Sequence, residues 1–387
     1  MDFGGRVAVE RRLGLKWRRI AYDLGVTIDE LYMWRKRTQF MDPLQPISDD
    51  ELLPLVKDYC NGYPDGRGQN SVEGYLLRLH LKVTRQQLQR VLQSDEQLAF
   101  QRKQRGYRPY KMIRINNYIS DGPGECHHAD CNLKLGHWGF SIFGVIDGYS
   151  HELMLLDVTF DRKAATILQT YVATPTALAR GLPQKFRIDC GSENMAVARF
   201  LHQVGVNVIP GASPRNVRIE RHWKDVMKDV LSFYRILFKL YERPVRAGGK
   251  GLNATDPEHI WLLQYLFGPR LRAQLHDFRD NWNCHRQRLT KSYTPLQLVH
   301  LAHRSFYQPI VGTPIHDVAA AAFESLEEEY IGKGKCAKNK SPFISAAEYG
   351  MFAAAVTPLT SNDDERAFDA ALSNAINTIN EVKALRN

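Results

Sequence analysis

The order of apolar segments between residues 126 and 241 constrains the fold more than any other feature of the sequence. Three β-rich runs come first, over 126–133, 138–146 and 153–158. The last two flank the turn Asp147-Gly148-Tyr149-Ser150, a pattern that is typical of a hairpin. Helical and strand-like segments then alternate, over 163–179, 185–189, 193–204, 206–209 and about 214–241. This order predicts an α/β domain with a mixed sheet that is flanked by helices.

The composition favours a polyanionic partner. The chain has 52 Lys and Arg residues against 42 Asp and Glu residues, which gives a formal charge of +10. Basic proteins bind nucleic acid through phosphate neutralisation, although a merely basic surface is the simpler alternative. No apolar run reaches the roughly 18 to 20 residues of a membrane span, and the N-terminus lacks the apolar stretch of a signal peptide. We therefore expect a soluble intracellular protein without a membrane partner, in the nucleus of a eukaryote or otherwise in the cytoplasm.

Residues 1–45 contain the pattern of a helix-turn-helix. Gly25 breaks a first helix, Thr27 is suited to cap a second one, and Arg35 and Lys36 add positive charge near its end. The second helix of such a pair can enter the major groove of DNA, so Arg35 and Lys36 are candidate DNA-binding residues. A plain helical hairpin is the alternative. The apolar residues that share one face of the two helices are Trp17, Ile20, Ala21, Leu24, Leu31 and Trp34.

Two further segments are suited to DNA binding. A second helical DNA-binding module is predicted over residues 46–100, where three helical segments surround a loop rich in Gly and Pro. A basic linker follows over 101–119. Its first part has six cations, no acid and interleaved tyrosines, and Arg102, Lys103 and Arg105 are candidates for phosphate contacts. A solvated linker is the alternative.

Three acids fall at the ends of predicted elements. Asp130 lies on the first core strand, Asp189 ends the fourth strand just before Gly191, and Glu220 lies in the first turns of the long helix. Attack on a phosphodiester needs divalent cations that activate the nucleophile and stabilise the leaving oxygen. Carboxylate oxygens are the hard ligands that hold Mg²⁺ or Mn²⁺ while leaving positions open for water and phosphate. The three acids therefore indicate a metal-dependent site.

The segments around these acids resemble the catalytic core of the retroviral and transposon integrase family. In that family a strand ends in Asp-Gly-x-Ser, the second acid precedes Gly-Ser-Glu-Asn, and the third lies in Ser-Pro-x-Asn-x-x-x-Glu-Arg. The matching residues are Asp147 to Ser150, Asp189 to Asn194, and Ser213, Pro214, Asn216, Glu220 and Arg221. The resemblance covers roughly residues 100 to 300. It extends to integrase-core proteins of eukaryotic genomes, which carry the same Ile-Asp-Gly and Arg-Ile-Glu signatures.

The resemblance implies an RNase H-like fold in which Asp130, Asp189 and Glu220 are the catalytic and metal-binding residues. It also implies Mg²⁺ or Mn²⁺ as the cofactor, DNA as the substrate and homo-oligomers that bridge two DNA ends. Two features depart from the family. The segment between Asp189 and Glu220 is shorter than in the retroviral pattern, and loops tolerate such changes. The N-terminal His-His-Cys-Cys zinc module is absent, and helix-turn-helix candidates replace it, as in bacterial insertion-sequence transposases.

Other groups compete for a role in the site. The family pattern gives Asp147 a structural role at a strand end, with metal binding as the alternative. Glu193 is expected to be a surface or capping residue, with a supporting role as the alternative. The cluster Cys126 to Cys131 resembles a zinc site, but neighbouring side chains of a strand point to opposite faces and cannot converge on one ion.

The long helix provides further candidate DNA contacts. Asn216, Glu220, Lys224 and Lys228 are spaced by four residues and so share one helical face. We expect Asn216 to orient a water or a phosphate and Lys224 and Lys228 to contact the DNA backbone. A solvated face with a Glu220–Lys224 pair is the alternative. The residues expected in the core are Trp223, Val226, Val230 and Phe233.

The leading hypothesis is a DDE-type integrase or transposase that cleaves DNA phosphodiesters and transfers strands with two metal ions. The alternatives are a domesticated DNA-binding protein without catalysis and an RNase H-fold nuclease. All three acids are retained, which favours an enzyme, because a pure DNA-binding protein has no use for them. The core is predicted over 120–245, followed by a helical extension over 246–305 and a C-terminal tail of unknown role over 306–387.

Overall fold

The computed structural model describes residues 2–61, 68–99, 120–173, 180–211, 216–245, 248–287, 292–308 and 338–385. The chain divides into two compact units. The first comprises 1–118 and 280–303, and the second comprises 119–279 and 304–387. Across the described ranges, no helix combines the length and the apolar character that crossing a membrane requires. The predicted DNA contacts Arg102, Lys103 and Arg105 lie outside the described residues.

The first unit begins with three short helices, α1 (Phe3–Arg12), α2 (Trp17–Leu24) and α3 (Ile28–Arg37). Gly25 ends α2 in the left-handed conformation, with a φ of 69° that favours glycine. Thr27 and Glu30 then form a capping box at the start of α3. These local signals explain why the predicted pair α2 and α3 is present. Helix α1 has almost no amphipathic pattern, so its sequence does not predict a helix.

The rest of the first unit is also helical. It contains α4 (Asp49–Asn61), α5 (Gln69–Arg78), α6 (Arg85–Ser94) and α12 (Pro295–Leu301), with two short strands, β1 (Gln45–Pro46) and β2 (Leu81–Lys82). The two strands pair in parallel. The segment 280–303 packs against the N-terminal helices, where Gln297 Nε2 donates to the Leu13 carbonyl over 2.7 Å. The first unit is therefore assembled from two separate stretches of chain.

The second unit is built on a five-stranded mixed sheet. Its strands are β3 (Cys126–Asn132), β4 (Ser141–Asp147), β5 (Leu153–Thr159), β6 (Lys185–Asp189) and β7 (Asn207–Gly211). Their order across the sheet is β5-β4-β3-β6-β7. The first three strands are antiparallel neighbours, and β6 and β7 are parallel to β3. This is the RNase H-like arrangement that the resemblance implied.

Helices cover both faces of the sheet. Helices α7 (Ala164–Ala173) and α8 (Met195–Gln203) pack on one face, in a cluster that includes the buried β4 residues Phe143 and Val145. Side chains alternate along a strand, so Gly144 between them faces the opposite side. There it meets helix α9 (Val217–Val226). Strand β4 is buried along its whole length, as expected for a strand covered on both faces.

The predicted long helix is present but is not uniformly α-helical. Helix α9 passes into a π-helical turn over Met227–Leu231 and continues as α10 (Ser232–Glu242). Both the backbone N–H and the hydroxyl of Ser232 donate to the Met227 carbonyl, five residues earlier. The wider turn inserts one extra residue without ending the helix.

The predicted helical extension contains α11 (Pro257–Asn283), whose end, 280–283, belongs to the first unit. The predicted C-terminal tail contains α13 (Ala346–Ala355) and α14 (Glu365–Ala384). This part of the chain is well packed: Phe352 and Phe368 are buried, and the Arg270 guanidinium of α11 lies 4.7 Å from the Phe368 ring centroid.

Candidate active site

Strands β3 and β6 bring Asp130 and Asp189 to one region of the sheet. The last paired positions of these parallel strands are His128 and Arg187. Asp130 and Asp189 each lie two residues further along their own strand, so they project from the same face. The pairing of β3 with β6 has ended at this point, while Asp130 is still paired with Gly144 of β4. Of the two, Asp130 is buried and Asp189 is partly exposed.

Helix α9 crosses this face and contacts Asp130 through Trp223. The indole Nε1 of Trp223 donates to Asp130 Oδ2 over 2.8 Å. Gly144 is the register partner of Asp130 on β4, and a Cβ at this position would come within 2.8 Å of the Trp223 ring. The missing side chain of Gly144 therefore makes room for the indole to reach Asp130.

A second pair of hydrogen bonds joins the start of α9 to β3. His128 Nδ1 lies 2.8 Å from Asn216 Oδ1, and Asn216 Nδ2 donates to the Ala129 carbonyl over 2.6 Å. Burial first, and then the nearby Arg187 and Arg218, lower the pKa of His128 to about 3. The neutral imidazole therefore donates its Nδ1 proton to Asn216. Asn216 is buried, and its side-chain amide is committed to holding the strand and the helix together.

Two of the predicted catalytic acids act electrostatically on the third. The pKa of the Asp130 carboxyl is raised to about 6, first by burial and then by the carboxylates of Glu220 and Asp189. The hydrogen bond from Trp223 acts in the opposite direction. Like charges disfavour ionisation of a buried acid, and a bound cation would remove that penalty. Glu220 and Asp189 therefore lie near enough to act on Asp130, and the three residues are referred to as the acidic cluster.

These residues are chemically suited to hard divalent cations. Trp223 occupies one oxygen of Asp130 and fixes its orientation, and Glu220 is partly exposed on α9. In the described part of the chain, no three His, Cys, Asp or Glu side chains are arranged to hold one metal ion. The carboxylates therefore share a neighbourhood without converging on one point.

A short turn holds Asp189 in place. The Gly191 backbone N–H donates to Asp189 Oδ1 over 3.2 Å, and the Asn194 side-chain amide donates to the same oxygen. Between these two residues, the Glu193 carboxylate forms an ion pair with Arg162. Glu193 is only 5% exposed. The expectation that Glu193 is a surface residue was therefore wrong.

Asp147 has a different environment. Its Oδ1 accepts from the Gly124 backbone N–H over 2.9 Å, and its Oδ2 accepts from the backbone N–H and the hydroxyl of Ser150, both over 2.7 Å. The side chain is fully buried. Because both oxygens are already hydrogen-bonded in the turn, the geometry agrees with the structural role that the family pattern gave this residue.

The histidines of the Cys126 to Cys131 cluster contact different elements. His127 Nε2 lies 3.2 Å from the Tyr307 hydroxyl, whereas His128 bonds Asn216. Burial lowers the pKa of His127 to about 4. The two imidazoles therefore lie on opposite faces of β3, as alternation along a strand requires.

The predicted basic contacts are distributed over both units. Lys224 and Lys228 are exposed, but Lys228 lies inside the π-helical turn and departs from the α-helical spacing on which the predicted stripe depended. In the first unit, Lys36 is exposed and the Arg35 guanidinium lies 4.8 Å from the Trp17 ring centroid. Each of these DNA contacts stays a prediction.

Three neighbours of the acids were missed or misjudged in the sequence. Trp223 was assigned to the core without its hydrogen bond to Asp130, and Asn216 was expected to face DNA. Arg162 was not singled out at all. The short spacing between Asn216, Glu220 and Trp223 did place them on one helix. Nothing in the sequence placed Arg162 beside Glu193, because the two residues lie on different elements.

The fold and the acidic cluster define an RNase H-like domain with a candidate metal-dependent site. Comparison with family models shows that residues 117–307 match the model described as the integrase core domain. No curated protein matches the chain.

Among solved structures, a chain of the simian T-cell lymphotropic virus intasome in complex with PP2A regulatory subunit B56 gamma is similar, with 12% sequence identity and a TM-score of 0.36. The match covers 68% of this chain and 77% of that chain. This similarity is too low to support a comparison of individual residues.

Proposed function

We propose that this protein is a metal-dependent polynucleotidyl transferase that cleaves and joins DNA phosphodiesters, with Asp130, Asp189 and Glu220 as ligands of Mg²⁺ or Mn²⁺. The observation that carries the proposal is geometric: Asp130 and Asp189 project from one face of the sheet, and helix α9, which carries Glu220, contacts Asp130 through Trp223. The pKa of the buried Asp130 carboxyl is also raised, first by burial and then by Glu220 and Asp189. A bound cation would remove that penalty.

When bound, divalent cations activate the attacking oxygen and stabilise the leaving oxygen of a phosphodiester. The chain itself supplies orientation. Trp223 fixes one oxygen of Asp130, and Asn216 fixes the start of the helix that carries Glu220. Acids that are oriented before substrate binds need no reorganisation during the reaction.

DNA is the proposed substrate and partner. In the first step, water attacks a terminal phosphodiester, the bond from phosphorus to the 3′-oxygen breaks, and a 3′-hydroxyl is released. In the second, that hydroxyl attacks a phosphodiester of the target strand in line and displaces the 3′-oxygen of the target. The exposed Lys224 is proposed to contact the backbone beside the site, and Lys228, Arg35 and Lys36 are proposed to contact it elsewhere. A homo-oligomer that bridges two DNA ends is part of the proposal by family resemblance.

A cleavage and joining assay tests the proposal. Purified protein would be incubated with Mg²⁺ or Mn²⁺, a labelled duplex made from the sequences that flank its gene, and a supercoiled target plasmid. We expect Asp189→Asn and Glu220→Gln to lower cleavage at least roughly a hundredfold, because removing an acid weakens cation binding and charge stabilisation together. Glu381→Gln, an exposed acid of α14, is the matched control and keeps wild-type activity.

The outcomes separate the alternatives. Cleavage that survives Asp189→Asn or Glu220→Gln would show that the acids are assigned incorrectly. Cleavage without joining to the plasmid indicates a nuclease. Salt-sensitive DNA binding without cleavage under any metal indicates a DNA-binding protein that has lost the reaction.

A further inference from the structure

Arg162 is directed into the interior of the second unit by the turn that precedes α7. In this turn the Asp161 carbonyl accepts from the Thr159 hydroxyl over 2.9 Å, and Asp161 Oδ1 accepts from the Lys163 backbone N–H over 3.0 Å. The Arg162 side chain is 14% exposed and forms an ion pair with Glu193, whose side chain is 6% exposed. A guanidinium is thus held by a single carboxylate in a largely buried setting.

The ion pair lies directly against the turn that orients Asp189. A Cβ on Gly191 would come within 2.7 Å of the Glu193 carboxyl carbon, so the carboxylate lies over the Gly191 backbone. The next residue, Asn194, donates its side-chain amide to Asp189. The Arg162 guanidinium is therefore separated from Asp189 by little more than the width of this turn.

Arg162 has a hydrogen-bond donor that is not used within the described residues. Its Nε is buried and has no hydrogen-bond partner among the described residues. A guanidinium has five N–H donors in a planar fork that suits two carboxylate oxygens at once. The charges of Arg162, Asp130 and Asp189 each act on the Cys131 thiol, so all three groups lie in the neighbourhood of this side chain.

We propose that Glu193 is a positioning residue that holds Arg162 away from Asp130 and Asp189 and so keeps these two carboxylates open to divalent cations. The inference rests on the proposed function, because it concerns the same acids. A buried guanidinium must have an anionic partner. Without Glu193, Arg162 lacks this partner, and we expect it to turn to the carboxylates beyond the turn, Asp189 first, where it competes with the cation.

A set of three variants tests this role through Mn²⁺ binding, measured by electron paramagnetic resonance on the full chain without DNA. Glu193→Gln frees Arg162, so we expect Mn²⁺ affinity to fall roughly tenfold. Arg162→Gln combined with Glu193→Gln removes the competing cation as well. The double variant is expected to bind Mn²⁺ within roughly threefold of the wild-type affinity.

The recovery in the double variant distinguishes this role from a merely structural one. If the ion pair only supported the turn, a second substitution would leave binding as weak as in Glu193→Gln or weaken it further. Melting temperatures of all variants report the structural contribution separately. The single variant Arg162→Gln leaves the Glu193 carboxylate without its cation. Its melting temperature is compared with that of the double variant.

A second ion pair of the same unit provides the matched control. Arg180 Nη2 lies 3.0 Å from Glu152 Oε1, and the Glu152 side chain is 1% exposed. Glu152→Gln breaks a buried pair that does not border the Asp189 turn. We expect it to lower the melting temperature while changing Mn²⁺ affinity by less than roughly twofold.

The results test the proposed function and the role of Glu193 separately. A wild-type protein that binds no Mn²⁺ overturns the proposed function and this role with it. Wild-type binding together with unchanged affinity in Glu193→Gln overturns this role alone. A double variant that binds as weakly as Glu193→Gln also overturns it.

Discussion

Gly144 is the residue that allows helix α9 to reach the candidate site. It is paired with Asp130 on the neighbouring antiparallel strand, and Trp223 and Ile219 both pack where its side chain would be. A glycine in a central strand loses side-chain packing of its own. In this position it allows an indole from another element to cross the strand and hydrogen-bond an acid.

The Gly144→Ala variant tests this arrangement. The added methyl group would meet the Trp223 ring at 2.8 Å and Ile219 Cδ1 at 3.2 Å, so the helix must shift. We expect the free energy of unfolding to fall by about 1–3 kcal/mol, as in other overpacked cores. Denaturant titration measures the loss, and tryptophan fluorescence reports the displaced indole.

Gly350→Ala in α13 is the matched control, because no atom lies within 4 Å of its added methyl group. A helical glycine replaced by alanine is expected to leave stability unchanged or to raise it by about 0.5–1 kcal/mol. Equal stability of Gly144→Ala and the wild type would contradict the role assigned to Gly144.

The sequence indicated the candidate acids but not the residues that contact them. Asp130, Asp189 and Glu220 follow from short motifs, which are local. The bond from Trp223 to Asp130 depends on how α9 crosses the sheet, and the space at Gly144 depends on the register of β3 and β4. The bond and the space both depend on where separate elements lie relative to one another. Neither propensity nor periodicity along one segment determines that placement.

The π-helical turn Met227–Leu231 is the most informative feature at the element scale. It joins α9, which carries Glu220, to α10, whose buried face includes Tyr234 and Phe238. One extra residue in the turn lets both helices keep their own packing. The sequence predicted one continuous helix because a single inserted residue barely changes the apolar pattern.

Deleting one residue from this turn is expected to be tolerated. Removal of the exposed Lys228 returns the turn to α-helical spacing and leaves α9 and α10 in place. We expect the free energy of unfolding to change by less than about 1 kcal/mol, which urea titration measures.

The matched control is deletion of Arg235, an exposed basic residue within α10. This deletion rotates all later residues of the helix and removes Phe238 and Tyr241 from the core. Loss of large buried side chains costs about 3–5 kcal/mol each. Similar losses for the two deletions would contradict the account of the π-helical turn.

At the scale of the whole molecule, three buried histidines link stability to pH. Burial lowers the pKa of His127 to about 4 and the pKa values of His128 and His222 to about 3, all below the ordinary histidine value of 6.5. The unfolded chain therefore binds protons that the folded chain does not. The resulting stability is fully present above about pH 6.5 and is lost as the pH falls toward the folded-state values. The raised pKa of Asp130 acts in the opposite direction below about pH 6.

The His222→Phe variant tests this dependence. His222 packs with its ring centroid 5.6 Å from that of Phe278, so a phenyl ring suits the site. Removing one such histidine is expected to reduce the slope of unfolding free energy against pH by roughly 1 kcal/mol per pH unit between about pH 4.5 and 6.5. Urea titrations across this range measure the slope. The exposed His202→Asn is the control, and an unchanged slope in His222→Phe would contradict the prediction.

The molecular organisation was predictable only in part. The α/β core between residues 126 and 242 follows from an element order that the sequence displays directly. The first unit takes residues 280–303 from far along the chain, and no local pattern signals such an assignment. Residues 306–387 were predicted as a C-terminal tail of unknown role, because the burial of Phe352 and Phe368 in its described part, 338–385, depends on neighbours distant in sequence.

The hydrogen bonds of Asn216 also have a consequence for protein synthesis. His128 and Ala129 leave the ribosome well before Asn216, whose partners lie 88 and 87 residues earlier. A nascent chain that has not yet reached α9 lacks Glu220, Trp223 and the side chain that ties the helix to β3. Products that terminate before α9 therefore cannot bring Glu220 beside Asp130, and the proposed activity is expected only from chains that extend past this helix.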